Sequence, residues 1–304
     1  MKAVVIGAGG LGSYVGALLA RAGHYVTLVA RGDHLSAIRR DGLHVESLDG
    51  DFDVRPEGAA SALELQIADL TLVTVKAYSL DDVADQVAHL AGTGSVIVPL
   101  LNGVTACERL MEHGVAGDRL LDGIAYMTAF RTAPGQIQRR AAHHRLVVGS
   151  STGADPAAIR VVSDAFDGTG VEIVASQDIA AELWTKMAVV CALSVLCGIT
   201  GRSMGPIRTH RFAADLQERA IAEVTSVARA RGVALSQDTE ATVGKALDAF
   251  PADFVPSVIH DLRSGRPTEM EELGGAIVRM AREAGIGAPL HEAATCAIQL
   301  GEPE

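Results

Sequence analysis

Lys186 sits in Trp184-Thr185-Lys186-Met187-Ala188-Val189-Val190, within a run from Ile179 to Ile199 that is otherwise almost wholly apolar. A lysine in such surroundings is disfavoured unless it has a partner, and desolvation lowers its pKa toward the range useful for proton transfer. The plainer alternative is a lysine at the edge of a core, reaching water along its own methylenes. A second polar cluster reads Pro256-Ser257-Val258-Ile259-His260-Asp261-Leu262, then Gly265-Arg266-Pro267-Thr268-Glu269. There Thr268-x-x-Glu271 fits a capping box, and Glu269 would sit in a first helical turn, where a carboxylate is favoured in any case.

A different chemistry is carried by the first residues. Gly7, Gly9 and Gly12 make G-x-G-x-x-G between an apolar run, Lys2 to Ile6, and an Ala/Leu-rich stretch from Leu11 to Ala22. Strand, glycine turn and helix together are the context that a dinucleotide fingerprint requires. The first glycine permits the tight turn, the second lets backbone approach a pyrophosphate, and the third lets helix and strand pack closely. The helix N-terminus offers unpaired N–H groups to the phosphates. Cofactor contacts are therefore expected from Gly7, Gly9, Gly10, Leu11 and Gly12.

The second strand, Tyr25 to Ala30, ends in Arg31 where an NAD-preferring site places Asp or Glu. An arginine there grips a 2′-phosphate, so NADP(H) is expected over NAD(H), unless Arg31 is an ordinary exposed charge. The apolar strand Leu70 to Val75 runs directly into Lys76, and the strand Ser95 to Leu100 leads to Asn102-Gly103. Carboxyl ends of parallel strands are where such sheets bind ligands, which suits Lys76 and Asn102 to a cofactor or an anionic substrate. A snorkelling lysine and an Asn-Gly turn are the plainer readings.

The elements that must hold these groups follow from periodicity. Asp33 to Arg40 reads as a helix and Leu43 to Pro56 as a hairpin. Asp122 to Arg131, Gln136 to Arg140, Arg145 to Gly149 and Val171 to Val174 read as strands, with Asp155 to Asp167 helical. Beyond Gln177 only helical periodicity remains, in Ile179 to Ile199, His210 to Arg231, Gln237 to Phe250 and Met270 to Ala284. The fold class is α/β, with a nucleotide-binding domain over 1–177 and an all-helical domain over 178–304.

A chain of 304 residues has room for two cores, and its net charge of −11 argues against nucleic-acid or anionic-membrane partners. Cys107, Cys191, Cys197 and Cys296 are scattered, the ten histidines are dispersed, and no metal-ligand spacing appears. The chain enters a strand at once, so a cytoplasmic protein with reduced thiols is expected. The apolar run at Ile179 contains Glu182 and Lys186 and reads as a core helix instead of a membrane span. An acidic helical domain rich in apolar residues is compatible with a homodimer, though no stretch specifies one.

The set GAGGLGS, Arg31, Val75-Lys76, LLNGV, ELWTKMAVV and PSVIHDLRSGRPTEMEELGG resembles the ketopantoate reductase (2-dehydropantoate 2-reductase) family over essentially the whole chain. The resemblance implies a Rossmann-type domain, a helical domain and an active site between them. It further implies that Lys186 is the general acid and that Glu269 hydrogen-bonds near the forming hydroxyl. Ser257 would contact substrate, Asn102 would position substrate or cofactor, and Lys76 would lie beside both. Hydride addition builds charge on a carbonyl oxygen, which a preorganised ammonium stabilises.

The family often has asparagine four and eight residues after the lysine and three before the serine. This chain has Val190, Ser194 and Phe254 instead. These three are expected at the substrate, where Val190 and Phe254 would weaken any preference for an acid with a second hydroxyl. A 2-oxo acid is therefore the expected substrate. Ketopantoate leads, a branched or aromatic acid without that hydroxyl is the alternative, and a nucleotide-sensing protein without catalysis is the reading from another class.

Overall fold

In the computed structural model, which describes residues 1–140 and 143–302, the run Lys2–Ile6 is strand β1, buried from Ala3 onward. Helix α1 (Gly10–Arg21) follows, then β2 (Tyr25–Val29) and α2 (Gly32–Asp41). The chain continues through β3 (Leu43–Glu46), β4 (Phe52–Val54), β5 (Glu57–Ala59) and β6 (Leu70–Val73). A 3-10 turn (Ala77–Ser79), α3 (Leu80–Gly92), β7 (Val96–Pro99) and α4 (Ala106–Glu112) come next. Then follow β8 (Asp122–Tyr126), β9 (Ala129–Ala133), β10 (Gln136–Arg139), β11 (Arg145–Gly149), α5 (Pro156–Phe166) and β12 (Glu172–Ala175).

The main sheet is parallel throughout, in the order β5-β2-β1-β6-β7. Val4, Val5, Leu70, Leu72, Ile97 and Val98 are fully or almost fully buried, as strands covered on both faces require. A four-stranded sheet, β4-β3-β10-β9, and a three-stranded one, β12-β11-β8, complete this part. Together these elements form one unit, Met1–Leu101 with Thr105–Ile179.

The second unit takes Asn102–Val104 and the chain from Ala180 onward. It is built on α6 (Ile179–Thr200), α7 (Met204–Arg208), α8 (Ala213–Ala230) and α9 (Thr239–Asp248). These are followed by α10 (Ser257–Arg263), a π-turn (Glu271–Gly275), α11 (Ala276–Glu283) and α12 (Pro289–Gln299). By length and a mean hydropathy of 1.8, α6 is apolar enough to cross a membrane. Its Ala188, Cys191, Ala192, Val195 and Leu196 are instead buried at the centre of the helical core.

Several expectations are corrected. Asp122 to Arg131 is two strands, because at Met127-Thr128 the chain leaves the three-stranded sheet for the four-stranded one. Uniform β-propensity hides a change of partner. The strand expected to end at Val75 leaves its ladder after Val73, where Thr74 Oγ1 donates to the Gly7 carbonyl at 2.8 Å. Met270 to Ala284 is a π-turn followed by an α-helix. No capping box forms there: Thr268 Oγ1 accepts from the Met270 N–H at 3.2 Å, and the Glu271 carboxylate pairs with Arg279 and Gln299.

Candidate active site

Each glycine of the first turn has its own reason to be glycine. Gly7 has φ +103°, and a Cβ there would lie 2.6 Å from the Val75 nitrogen. A Cβ on Gly10 would overlap the Ala129 carbonyl, and one on Gly12 would overlap the Gly7 carbonyl and Thr74 Oγ1. Gly9 differs: it is exposed, with no atom within 4 Å of a Cβ position. Protein packing therefore explains Gly7, Gly10 and Gly12 but not Gly9, which leaves an open cradle at the N-terminus of α1. That helix has no side-chain cap and no acidic residue in its first turn, which leaves the amides near Gly10, Leu11 and Gly12 without a capping side chain among the described residues. A pyrophosphate fits this cradle.

Thr74 braces the turn. Thr74 holds the Gly7 carbonyl, and Lys76 follows two residues later, half-buried, at the start of the 3-10 turn. Ser13, inside the glycine motif, is buried against His34 of α2, with Oγ 3.0 Å from Nε2. His34 Nδ1 accepts the Gly135 N–H at 3.0 Å, which assigns the Nε2–H tautomer and makes the ring the donor to Ser13. Desolvation, with Arg131 adding to it, lowers the His34 pKa to about 4, so the ring stays neutral. Sequence reasoning missed Thr74 and His34, since no spacing rule links them to the turn. Arg31 is exposed in extended backbone (φ −132°, ψ 160°) as the residue before α2.

In the second unit the polar groups gather around Glu269. This carboxylate is buried, 4% exposed, and accepts the Asn102 Nδ2–H at 3.5 Å, the long end of a hydrogen bond. Lys186 on α6 is half-buried; desolvation lowers its pKa to about 8, and the charge of Glu269 acts in the opposite direction. Lys186, Glu269 and Asn102 thus form one cluster, drawn from three separate stretches of chain. Ser257 is exposed at the first residue of α10.

The three substituted positions behave differently from one another. Val190 is half-buried one turn beyond Lys186. Phe254 is half-buried and packs against Phe250 in a tilted pair, ring centroids 4.3 Å apart and planes at 39°. Ser194 is fully buried, and its hydroxyl donates to the Val190 carbonyl at 2.9 Å. That back-bond spends the hydroxyl's proton on the helix and leaves its oxygen as an acceptor.

The family model for ketopantoate reductase PanE/ApbA matches residues 3–153, and the model for its C terminal matches residues 178–302. The chain belongs to the ketopantoate reductase family. It is an oxidoreductase, 33% identical over 294 residues to the 2-dehydropantoate 2-reductase of Halobacterium salinarum, covering 95% of each chain. Its fold matches the PanE/ApbA family ketopantoate reductase of Ralstonia eutropha JMP134 with TM-score 0.89 at 27% identity, over 99% of this chain and 98% of that one. A D-mandelate dehydrogenase in ternary complex with NADH and anilino(oxo)acetate matches with TM-score 0.88 at 22% identity over the same shares, a likeness of fold alone.

Proposed function

We propose that this ketopantoate reductase family member uses NADPH to reduce a 2-oxo acid to a 2-hydroxy acid, with 2-dehydropantoate as substrate. The observation that carries the reading is the half-buried Lys186, lowered to about 8 and acted on by the charge of Glu269. When bound, the cofactor would supply the hydride that the carbonyl carbon receives. Lys186 holds its ammonium at the keto oxygen, stabilises the charge developing there and gives up one proton to form the hydroxyl. An acid of this pKa is well matched to neutral pH, and positioned proton transfer contributes about 10²–10⁴-fold to rate.

Glu269 keeps the lysine charged in its apolar setting and holds the Asn102 amide, which positions substrate or cofactor. Ser257 contacts the substrate. The cradle at Gly9 takes the pyrophosphate, Arg31 the 2′-phosphate, and Lys76 the anionic groups beside the turn. In this division of labour the cofactor belongs to residues 1–177 and the proton chemistry to 178–304, with Asn102 grouped with the second set by the fold. The named activity of the Halobacterium relative supports 2-dehydropantoate.

A second reading rests on Val190 and on Phe254, tilted against Phe250. Apolar groups at these positions leave a second hydroxyl without a partner, which favours a branched or aromatic 2-oxo acid. The experiment is NADPH oxidation with 2-dehydropantoate, 2-oxoisovalerate and phenylglyoxylate at matched concentrations. A kcat/KM for 2-dehydropantoate at least about tenfold above the others supports the first reading. The reverse order assigns the second.

A further inference from the structure

The groups behind Glu269 form a clamp. Directly after Glu269 and Met270 comes the π-turn, in which the Gly275 N–H donates to the Met270 carbonyl at 3.0 Å, five residues back. Such turns are rare within helices and are frequent at functional sites. This one is closed against α12 at Gly274, where a Cβ would overlap both Thr295 Oγ1 and the Met270 methyl. The methionine end is flexible and can give way. Thr295, short and β-branched on a helix, has little freedom to do so. Its hydroxyl is buried with no hydrogen-bond partner among the described residues, so the contact with Gly274 is one of shape.

Helix α12 is itself pinned. Fully buried His291 donates from Nδ1 to Glu223 Oε2 of α8 at 2.6 Å, and the same carboxylate accepts the Leu290 and His291 N–H groups at 2.9 and 3.1 Å. Burial alone would raise the Glu223 carboxyl, but the His291 ring and the two amides outweigh it and lower it. A charged acceptor with three donors is a stiff anchor. His291 Nε2 has no partner among the described residues, so the ring is fastened through Nδ1.

We propose that Glu223, His291, Thr295 and Gly274 form a clamp that fixes the π-turn and thereby sets the Glu269 carboxylate against Lys186. They are positioning residues, acting through Glu269, and the inference rests on the reading of Lys186 and Glu269 as the reacting pair. Of the charged groups here, Glu269 acts on the Lys186 amine; Glu182, one turn earlier on α6, and Glu272, on the π-turn, lie on the same two elements.

The test reads the lysine directly and needs no substrate. The chain has four lysines, Lys2, Lys76, Lys186 and Lys245, so full-length protein labelled at lysine gives four side-chain NMR signals. Lys186→Arg assigns the relevant one. Glu269→Gln is expected to lower the Lys186 titration midpoint, because the charge that raises it is gone. Gly274→Ala and Thr295→Ala are each expected to lower it by about half a pH unit or more, as Glu269 drifts from the amine. The double variant, which adds a methyl at 274 and removes the Thr295 hydroxyl it would meet, is expected to restore it. Thr295→Ala serves if Gly274→Ala does not fold. Single variants that lower the melting temperature but leave the midpoint at its wild-type value would overturn the clamp while the Lys186–Glu269 reading stands. A midpoint unmoved in Glu269→Gln would overturn both.

Discussion

A lysine with a pKa near 8 can serve as acid in one direction and base in the other, and its pH dependence follows from that. In the proposed role Lys186 acts as its ammonium, so kcat for reduction is expected to fall as pH rises through about 8. Oxidation of the hydroxy acid needs the neutral amine and should rise through the same range. A bell or plateau unrelated to this midpoint would assign the proton to another group. Arg31 gives a second prediction at this scale. Exposed just before α2, Arg31 is expected to tolerate Arg31→Ala without loss of fold, and the variant should lose about tenfold or more in kcat/KM with NADPH, but little with NADH. Equal losses with both cofactors would contradict the 2′-phosphate assignment.

The elements around the glycine turn make a sharper distinction than its motif does. Gly10→Ala places a methyl against the Ala129 carbonyl and should destabilise the first unit by about 1–3 kcal/mol. Gly9→Ala meets no protein atom, so its melting temperature should stay within a few degrees of wild type while cofactor affinity falls. Calorimetry on the two variants, with and without NADPH, separates these outcomes. His34 couples α1, α2 and the turn at Gly135, and carries a pH signature. Its folded pKa of about 4 lies below the unfolded value of 6.5, so the unfolded state binds more protons in between. Stability is expected to fall as pH drops from 6.5 toward 4, by an amount on the order of 2 kcal/mol. A His34→Gln variant should show a flatter pH dependence of its melting temperature over that window. The same slope in both proteins would remove His34 as the cause.

Across the whole molecule, the residues that could be read from sequence are those whose constraint is local. The glycine turn, the parallel strands and the Lys186 helix follow from short-range pattern, so strand, turn and helix were legible with their neighbours. The meeting of Asn102, Lys186 and Glu269 was not, because 167 residues separate the ends of the Asn102–Glu269 hydrogen bond. It came instead from resemblance to the family. The back-bond of Ser194 was likewise hidden: helical spacing places it near the face of Lys186, and its hydroxyl donates to the Val190 carbonyl one turn back. The π-turn is a tertiary event, allowed by Gly274 and imposed by Thr295, and nothing in the helical period from Met270 to Ala284 announces it.

The most direct measurement is single-turnover NADPH oxidation by Lys186→Ala beside wild type, with NADPH binding measured on the same preparations. The expected result is a loss of about 10²–10⁴-fold in the rate of reduction with the NADPH dissociation constant unchanged. Turnover within a few-fold of wild type would contradict the assignment of Lys186 as the acid. With it would go the account of how this family member protonates its substrate.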